Sequence, residues 1–172
     1  MKKILLIVLT LLALYGCSDS TQGDDVEMII DATQFSNLTS DELVNIMGEP
    51  ESIEDYEWSI PKTNKSIVGK LYIYENNKFE FILFEDTVTR LNAYSGVYWG
   101  YDDSTFVFSS GKDAMKTFGI TDTYKNMART VNTEVVEKYE PVTEGIQKVE
   151  IHDIKENTFG LIRFTYDSNF YE

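Results

Sequence analysis

The sequence predicts an α+β fold, with short helices packed on a mainly antiparallel β-sheet and a suggestion of two tandem helix-plus-strands repeats. Three observations carry the prediction. Runs of aromatic and β-branched residues are separated by short connections bearing Asn, Asp and Glu, the pattern of strands joined by tight turns. Two short segments have helix start and stop signals, with glycine at the end of each. Shifted by 71 residues, Leu43, Val44, Met47 and Gly48 fall on Ala114, Met115, Phe118 and Gly119, so the apolar pattern and the terminal glycine recur together.

Lys2 and Lys3 open the chain, residues 4–14 are apolar but for Thr10, and Leu14-Tyr15-Gly16-Cys17 follows. This is the layout of a secretory signal over residues 1–16, and the apolar run is too short for a comfortable membrane span. The polar, acidic stretch SDSTQGDD, residues 18–25, has the composition of a flexible tether. A single domain is expected over residues 26–172, of ordinary domain size. With 42% hydrophobic residues, 11 Tyr and 10 Phe, it has the material for a core. The chain's one cysteine leaves that core without an internal disulfide.

The first helix is expected at residues 40–47. Thr39 and Glu42 have the three-residue spacing of a capping box, and Leu38 and Leu43 stand where a hydrophobic staple closes around it. Asp41 and Glu42 favour the positive end of the helix dipole, Leu43, Val44 and Met47 give it an apolar face, and Gly48 with Pro50 stops it. Strands follow at residues 70–74 and 78–84, joined by Glu75-Asn76-Asn77, and Glu85-Asp86 turns the chain into a third at 87–94. In the second of these, Phe79, Phe81 and Leu83 alternate with Glu80, Ile82 and Phe84. Such a meander needs a helix or a second sheet over its apolar face. Ser110-Gly111-Lys112-Asp113 opens a second helix, which carries Ala114, Met115 and Phe118 and ends at Gly119. A helical turn capped by Asp122 is expected over residues 123–128, residues 133–139 read as either helix end or strand, and residues 147–154 and 158–166 read as a hairpin.

Leu14-Tyr15-Gly16-Cys17 resembles the lipobox of bacterial lipoproteins, with Tyr15 bulkier than usual at its position. The resemblance implies cleavage after Gly16, a diacylglycerol thioether on Cys17, and a protein tethered at the extracytoplasmic face of a cell membrane. An ordinary cleaved signal with a chance cysteine is the alternative. A second resemblance lies in Leu38-Thr39-Ser40-Asp41-Glu42-Leu43-Val44-Asn45-Ile46-Met47-Gly48-Glu49-Pro50, which is similar to the opening of the SmpA/OmlA and β-lactamase-inhibitor-protein-like lipoprotein domains. It covers about residues 36–94 and, more weakly, 110–166, and it implies a helical segment followed by an aromatic strand pair. The functions it implies are assistance in outer-membrane barrel assembly or inhibition of secreted β-lactamases through a sheet surface. No residue set selects between them, and the Lys, Asn, Ile and Tyr usage hints at a Gram-positive source without an outer membrane.

The formal charge is -14, and loss of Lys2 and Lys3 with the signal takes it to -16. Phosphate backbones and anionic headgroups repel such a protein, so nucleic acid is not an expected partner, and the Cys17 lipid must hold the chain at the membrane. Catalysis is not expected. The single histidine, His152, sits in an alternating strand as an outward-facing residue, so neither a Ser-His-Asp nor a Cys-His nor a zinc arrangement assembles from the usual parts. Asp24-Asp25 and Asp102-Asp103 lack the spaced ligands of a calcium loop, and the glycines lack phosphate-loop framing, so no cofactor or metal is expected.

The stretch Tyr94-Ser95-Gly96-Val97-Tyr98-Trp99-Gly100-Tyr101 is the candidate binding surface, because rings on glycine-flanked backbone suit recognition hot spots. Core aromatics in a connection between the halves are the alternative for Tyr94, Tyr98, Trp99 and Tyr101. The leading expectation is therefore a non-enzymatic, membrane-anchored lipoprotein that binds or inhibits another protein. Binding of a cell-envelope carbohydrate or peptide is the second, and a hydrolase using carboxylates the third.

Overall fold

The computed structural model describes residues 27–95, 111–155 and 158–172. Its described strands form one eight-stranded sheet in the order β1-β2-β3-β4-β8-β7-β6-β5, antiparallel throughout. The strands are β1 (Ser52–Ile60), β2 (Lys65–Tyr74), β3 (Phe79–Phe84), β4 (Thr87–Tyr94), β5 (Ala128–Asn132), β6 (Val136–Glu140), β7 (Lys148–His152) and β8 (Leu161–Thr165). Helix α1 (Ser40–Met47) precedes β1 and helix α2 (Gly111–Thr117) precedes β5. Among the described residues each half therefore reads as one α-helix then four strands, and the halves join where the fourth strand of one pairs with the fourth strand of the other. Sheet dominates and helix is minor. At the join, Asn92 of β4 pairs with Arg163 of β8, residues separated by the same 71 positions that relate the two helices in sequence.

Helix α1 begins as its residues dictate. The Thr39 N–H donates to Glu42 Oε2 at 2.9 Å, and the Thr39 hydroxyl accepts from the Glu42 N–H at 3.4 Å. The Thr39 hydroxyl also donates to Glu42 Oε2 at 2.9 Å, and the two bonds this carboxylate accepts from Thr39 hold it below the usual carboxylate range. Gly48 closes the helix at φ 81°, a backbone region that costs other residues a steric penalty. Of the expected apolar face only Leu43 is fully buried, while Val44 and Met47 lie at the rim. The start of α1 is stitched to the sheet, since the Val88 N–H donates to the Leu38 carbonyl at 2.8 Å. Helix α2 sits deeper: Ala114, Met115 and Phe118 are all buried, with the Phe118 ring 5.1 Å from that of Phe164. With Phe35, Leu43, Phe79, Phe81, Leu91 and Ile162 they form the main core, on one face of the sheet.

The turns follow their chemistry. Glu75, Asn76 and Asn77 all have positive φ, as do Glu85 and Asp86 in the two-residue connection between β3 and β4. One expectation is corrected and one alternative is settled. Residues 123–128 do not form a helical turn: the Tyr124 N–H donates to the Val142 carbonyl at 2.8 Å, and Ala128 already begins β5. The segment has no apolar stripe to bury, so bonds to another loop outweigh the Asp122 capping signal. The segment 133–139 resolves as a turn into β6. Strand β1 was not anticipated from the sequence at all.

Candidate functional site

Strand alternation sends half of the sheet's side chains away from the helices, and on that far face two groups of residues meet. The first is apolar: Tyr56 and Trp58 of β1, Ile67 and Leu71 of β2, and Ile82 and Phe84 of β3. The Tyr56 and Trp58 rings lie 6.1 Å apart and nearly parallel, at 11°. Gly69 lets β2 pass over Phe84, because a Cβ there would meet the Leu83 carbonyl and the Phe84 ring.

The second group is polar and follows the join between the halves. Register aligns Glu80, Asn92, Arg163 and Glu150 across β3, β4, β8 and β7. Asn92 Nδ2 donates to Glu80 Oε2 at 3.1 Å, Arg163 Nε donates to Asn92 Oδ1 at 3.0 Å, and the Tyr94 hydroxyl donates to Glu80 Oε2 at 2.8 Å. Arg163 also lies 3.7 Å from Glu150. Beside this row Arg90 is only 6% exposed, and its Nε has no hydrogen-bond partner among the described residues. Burial pushes the guanidinium down to about 10, still protonated at neutral pH.

Residues 168–172 return across this face. Phe170 stacks on Phe84 with centroids 4.9 Å apart, and Tyr171 lies 5.7 Å from Trp58 and carries the Arg90 guanidinium 3.2 Å over its ring. Trp58 Nε1–H donates to the Phe170 carbonyl at 2.7 Å, and the Lys62 N–H donates to the Glu172 backbone oxygen at 3.1 Å. The Tyr171 and Thr89 hydroxyls share a hydrogen bond at 2.8 Å, and burial pushes the Tyr171 phenol up to about 12. Lys148 Nζ reaches the Glu172 carboxylate at 3.0 Å, and that bond holds the carboxyl below its usual range.

His152 lies on the same face between Val136 and Leu161 in the cross-strand register. It points away from the main core, as the alternation predicts, yet it is half-buried and its Nε2 has no partner among the described residues. Burial, and then the nearby Arg163 charge, push its pKa below the usual value. Among the described residues no three His, Cys, Asp or Glu side chains gather as a metal site requires. Two shallow cavities lie elsewhere, one beside Tyr124, Pro141 and Asn169 and one beside Gly111, Arg129 and Tyr139. Neither lining includes a buried polar side chain that lacks a partner.

Of the residues singled out from the sequence, Tyr94 is brought into the polar row by its bond to Glu80. Gly16, Cys17, Tyr98, Trp99 and Tyr101 lie outside the described residues. Sequence reasoning placed Phe84 on this face but did not single it out as a site residue, nor Tyr56, Trp58, Arg90, Phe170 or Tyr171. Their one local signal was the alternation of Tyr56 and Trp58 with charged residues. Neither a family model nor a curated protein nor a solved structure matches the chain.

Proposed function

We propose that this chain is a lipid-anchored protein of the extracytoplasmic membrane face that binds another protein, without catalysis, through the sheet face away from its helices. The observation that carries the reading is the composition of that face. Aromatic side chains of β1 to β3 lie next to buried cations of β4 and β7, which flank the join of two like-ordered halves, in a chain of net charge -14. Rings and Arg dominate binding energy at protein interfaces, and cations amid an acidic surface favour an acidic partner patch. The likeness to SmpA/OmlA and β-lactamase-inhibitor-protein-like domains is part of the proposal, and so is a tandem duplication. The pairing of Asn92 with Arg163 supports the duplication, because residues equivalent under the 71-residue shift are also cross-strand partners, as an approximate twofold between copies requires.

Lys2, Lys3, the apolar run and Gly16-Cys17 support the anchor. Cys17→Ser abolishes labelling by a fatty-acid probe and releases the protein from membranes; unchanged labelling refutes it. For binding, the protein is immobilised and offered envelope and secreted proteins. Retention of a partner that Trp58→Ala and Arg163→Glu both abolish, and that exposed Ile53→Ser leaves intact, supports the surface. Retention indifferent to all three refutes it. The near-parallel Tyr56 and Trp58 rings also suit stacking on a sugar, so retention on purified cell wall that Trp58→Ala removes favours a carbohydrate ligand instead.

A further inference from the structure

We propose that the aromatic cradle of β1, β2 and β3 is a peptide site for an extended segment bearing two adjacent aromatic residues followed by a carboxylate, and that residues 170–172 hold it closed. The chain itself displays the chemistry the cradle accepts: Phe170 on Phe84, Tyr171 between Trp58 and the Arg90 guanidinium, and the Glu172 carboxylate on Lys148.

These contacts differ from those of the core. Phe84 and Ile82 are each 2% exposed on the face away from the helices, and the buried residue that groups with them there is Tyr171. No strand ladder holds the covering segment. The last backbone-to-backbone bonds to a strand are those of the Tyr166 and Asp167 N–H groups to the Thr89 carbonyl, at 2.9 and 3.3 Å. Beyond Asp167 the segment is held by ring contacts, the Lys148 ion pair, the buried bond between the Tyr171 and Thr89 hydroxyls, single bonds donated to its backbone by Trp58 and Lys62, and the bond from the Ser168 N–H to Gln147. It can swing out at Asp167 with every strand pair intact. Release uncovers Arg90 and Lys148 beside Arg163, three cations on β4, β7 and β8 that attract an acidic segment.

This inference deepens the binding reading and rests on it for the choice of face, but its test needs no partner. The probe is a labelled hexapeptide of residues 167–172, followed by anisotropy against the full chain in detergent. The variant Phe170→Ala/Tyr171→Ala, with an unchanged circular dichroism spectrum, is expected to bind it at least about tenfold more tightly than the unaltered chain, whose own segment keeps the site mostly filled. A peptide with alanine at both ring positions does not bind, and adding Trp58→Ala abolishes binding. A folded double variant that ignores the peptide overturns the proposal, as does an unaltered chain that binds it equally well. If the variant does not fold, amide exchange on the unaltered chain decides. The Lys62 and Tyr171 N–H groups are expected to exchange at least about a hundredfold faster than those of Leu91 and Phe164, by local opening. Equal rates overturn the proposal. Peptide binding with no protein captured refutes the partner and leaves the site standing; capture without peptide binding refutes the site alone.

Discussion

Replacing Arg90 by Met is expected to stabilise the protein, although it removes a side chain that touches Tyr171 at 3.2 Å. Burial lowers the guanidinium from its ordinary value to about 10, which at 1.36 kcal/mol per pH unit is a cost of roughly 3 kcal/mol for keeping the charge in place. The Glu150 charge offsets part of it from a distance, but none of the described ion pairs includes Arg90. The contact with the Tyr171 ring returns roughly 2 kcal/mol when desolvated. Methionine keeps most of the aliphatic stem, so Arg90→Met should gain about 1 kcal/mol, as exchanging buried charges for apolar groups often does. The folded-state pKa is the lower one, so the cost is fully present below pH 10 and fades as pH rises toward the ordinary guanidinium range; a urea titration at pH 7 reads all of it. A higher midpoint at unchanged slope is expected, together with weaker protection of the Tyr171 amide. A loss of about 2 kcal/mol or more would refute the reasoning, because it would mean that the guanidinium is well satisfied where it lies. A charge kept at a net cost to folding is the kind of residue that binding retains.

Three further outcomes are expected. Thr39→Ala removes the cap of α1 and should cost about 1 kcal/mol, read from denaturant midpoints at constant slope. Gly69→Ala drives a Cβ into the Leu83 backbone and the Phe84 ring, so it should cost roughly 1 to 3 kcal/mol; an unchanged midpoint would mean that β2 does not run over Phe84. His152 has its folded-state pKa lowered, so below pH 6.5 the unfolded chain takes up the proton first, and stability falls as pH drops from 7.5 toward 5.5. His152→Gln should flatten that slope, and an identical slope in the variant would count against burial of the imidazole.

What was legible in the sequence was local. The Thr39–Glu42 box, Gly48, the Asn-bearing turn at residues 75–77 and the Gly119 stop each depend on neighbours within a few residues, and each stands where its chemistry puts it. The alternation in β3 was legible too, with Phe79, Phe81 and Leu83 facing the helices and Ile82 and Phe84 facing away. Strand β1 was missed because Glu54, Asp55 and Glu57 interrupt the aromatic and β-branched runs that mark the other strands. At the sheet's edge those same charges discourage pairing with another chain, so the composition that hid the strand is the composition an edge strand needs. The far-face site was not legible because its parts are remote: the bond between Trp58 and Phe170 spans 112 residues, and nothing near either one announces the other.

The asymmetry of the sheet separates a recognition surface from a mere second core. If covering the far face were a requirement of the fold, both halves would meet it alike, since both have the same order of elements and join through equivalent strands. They do not. In β1 to β3 that face carries Tyr56, Trp58, Ile67, Leu71, Ile82 and Phe84 beneath the returning rings of Phe170 and Tyr171. In β6 and β7 the corresponding face carries Val136, Lys138, Glu140, Lys148, Glu150 and His152, of which only Lys148 is fully buried. The second half therefore keeps its strands paired with a largely polar, partly solvated far face, as one-sided antiparallel sheets commonly do. Folding alone does not call for the rings of the first half, and a cradle that one half needs and the other omits is better accounted for by what it holds.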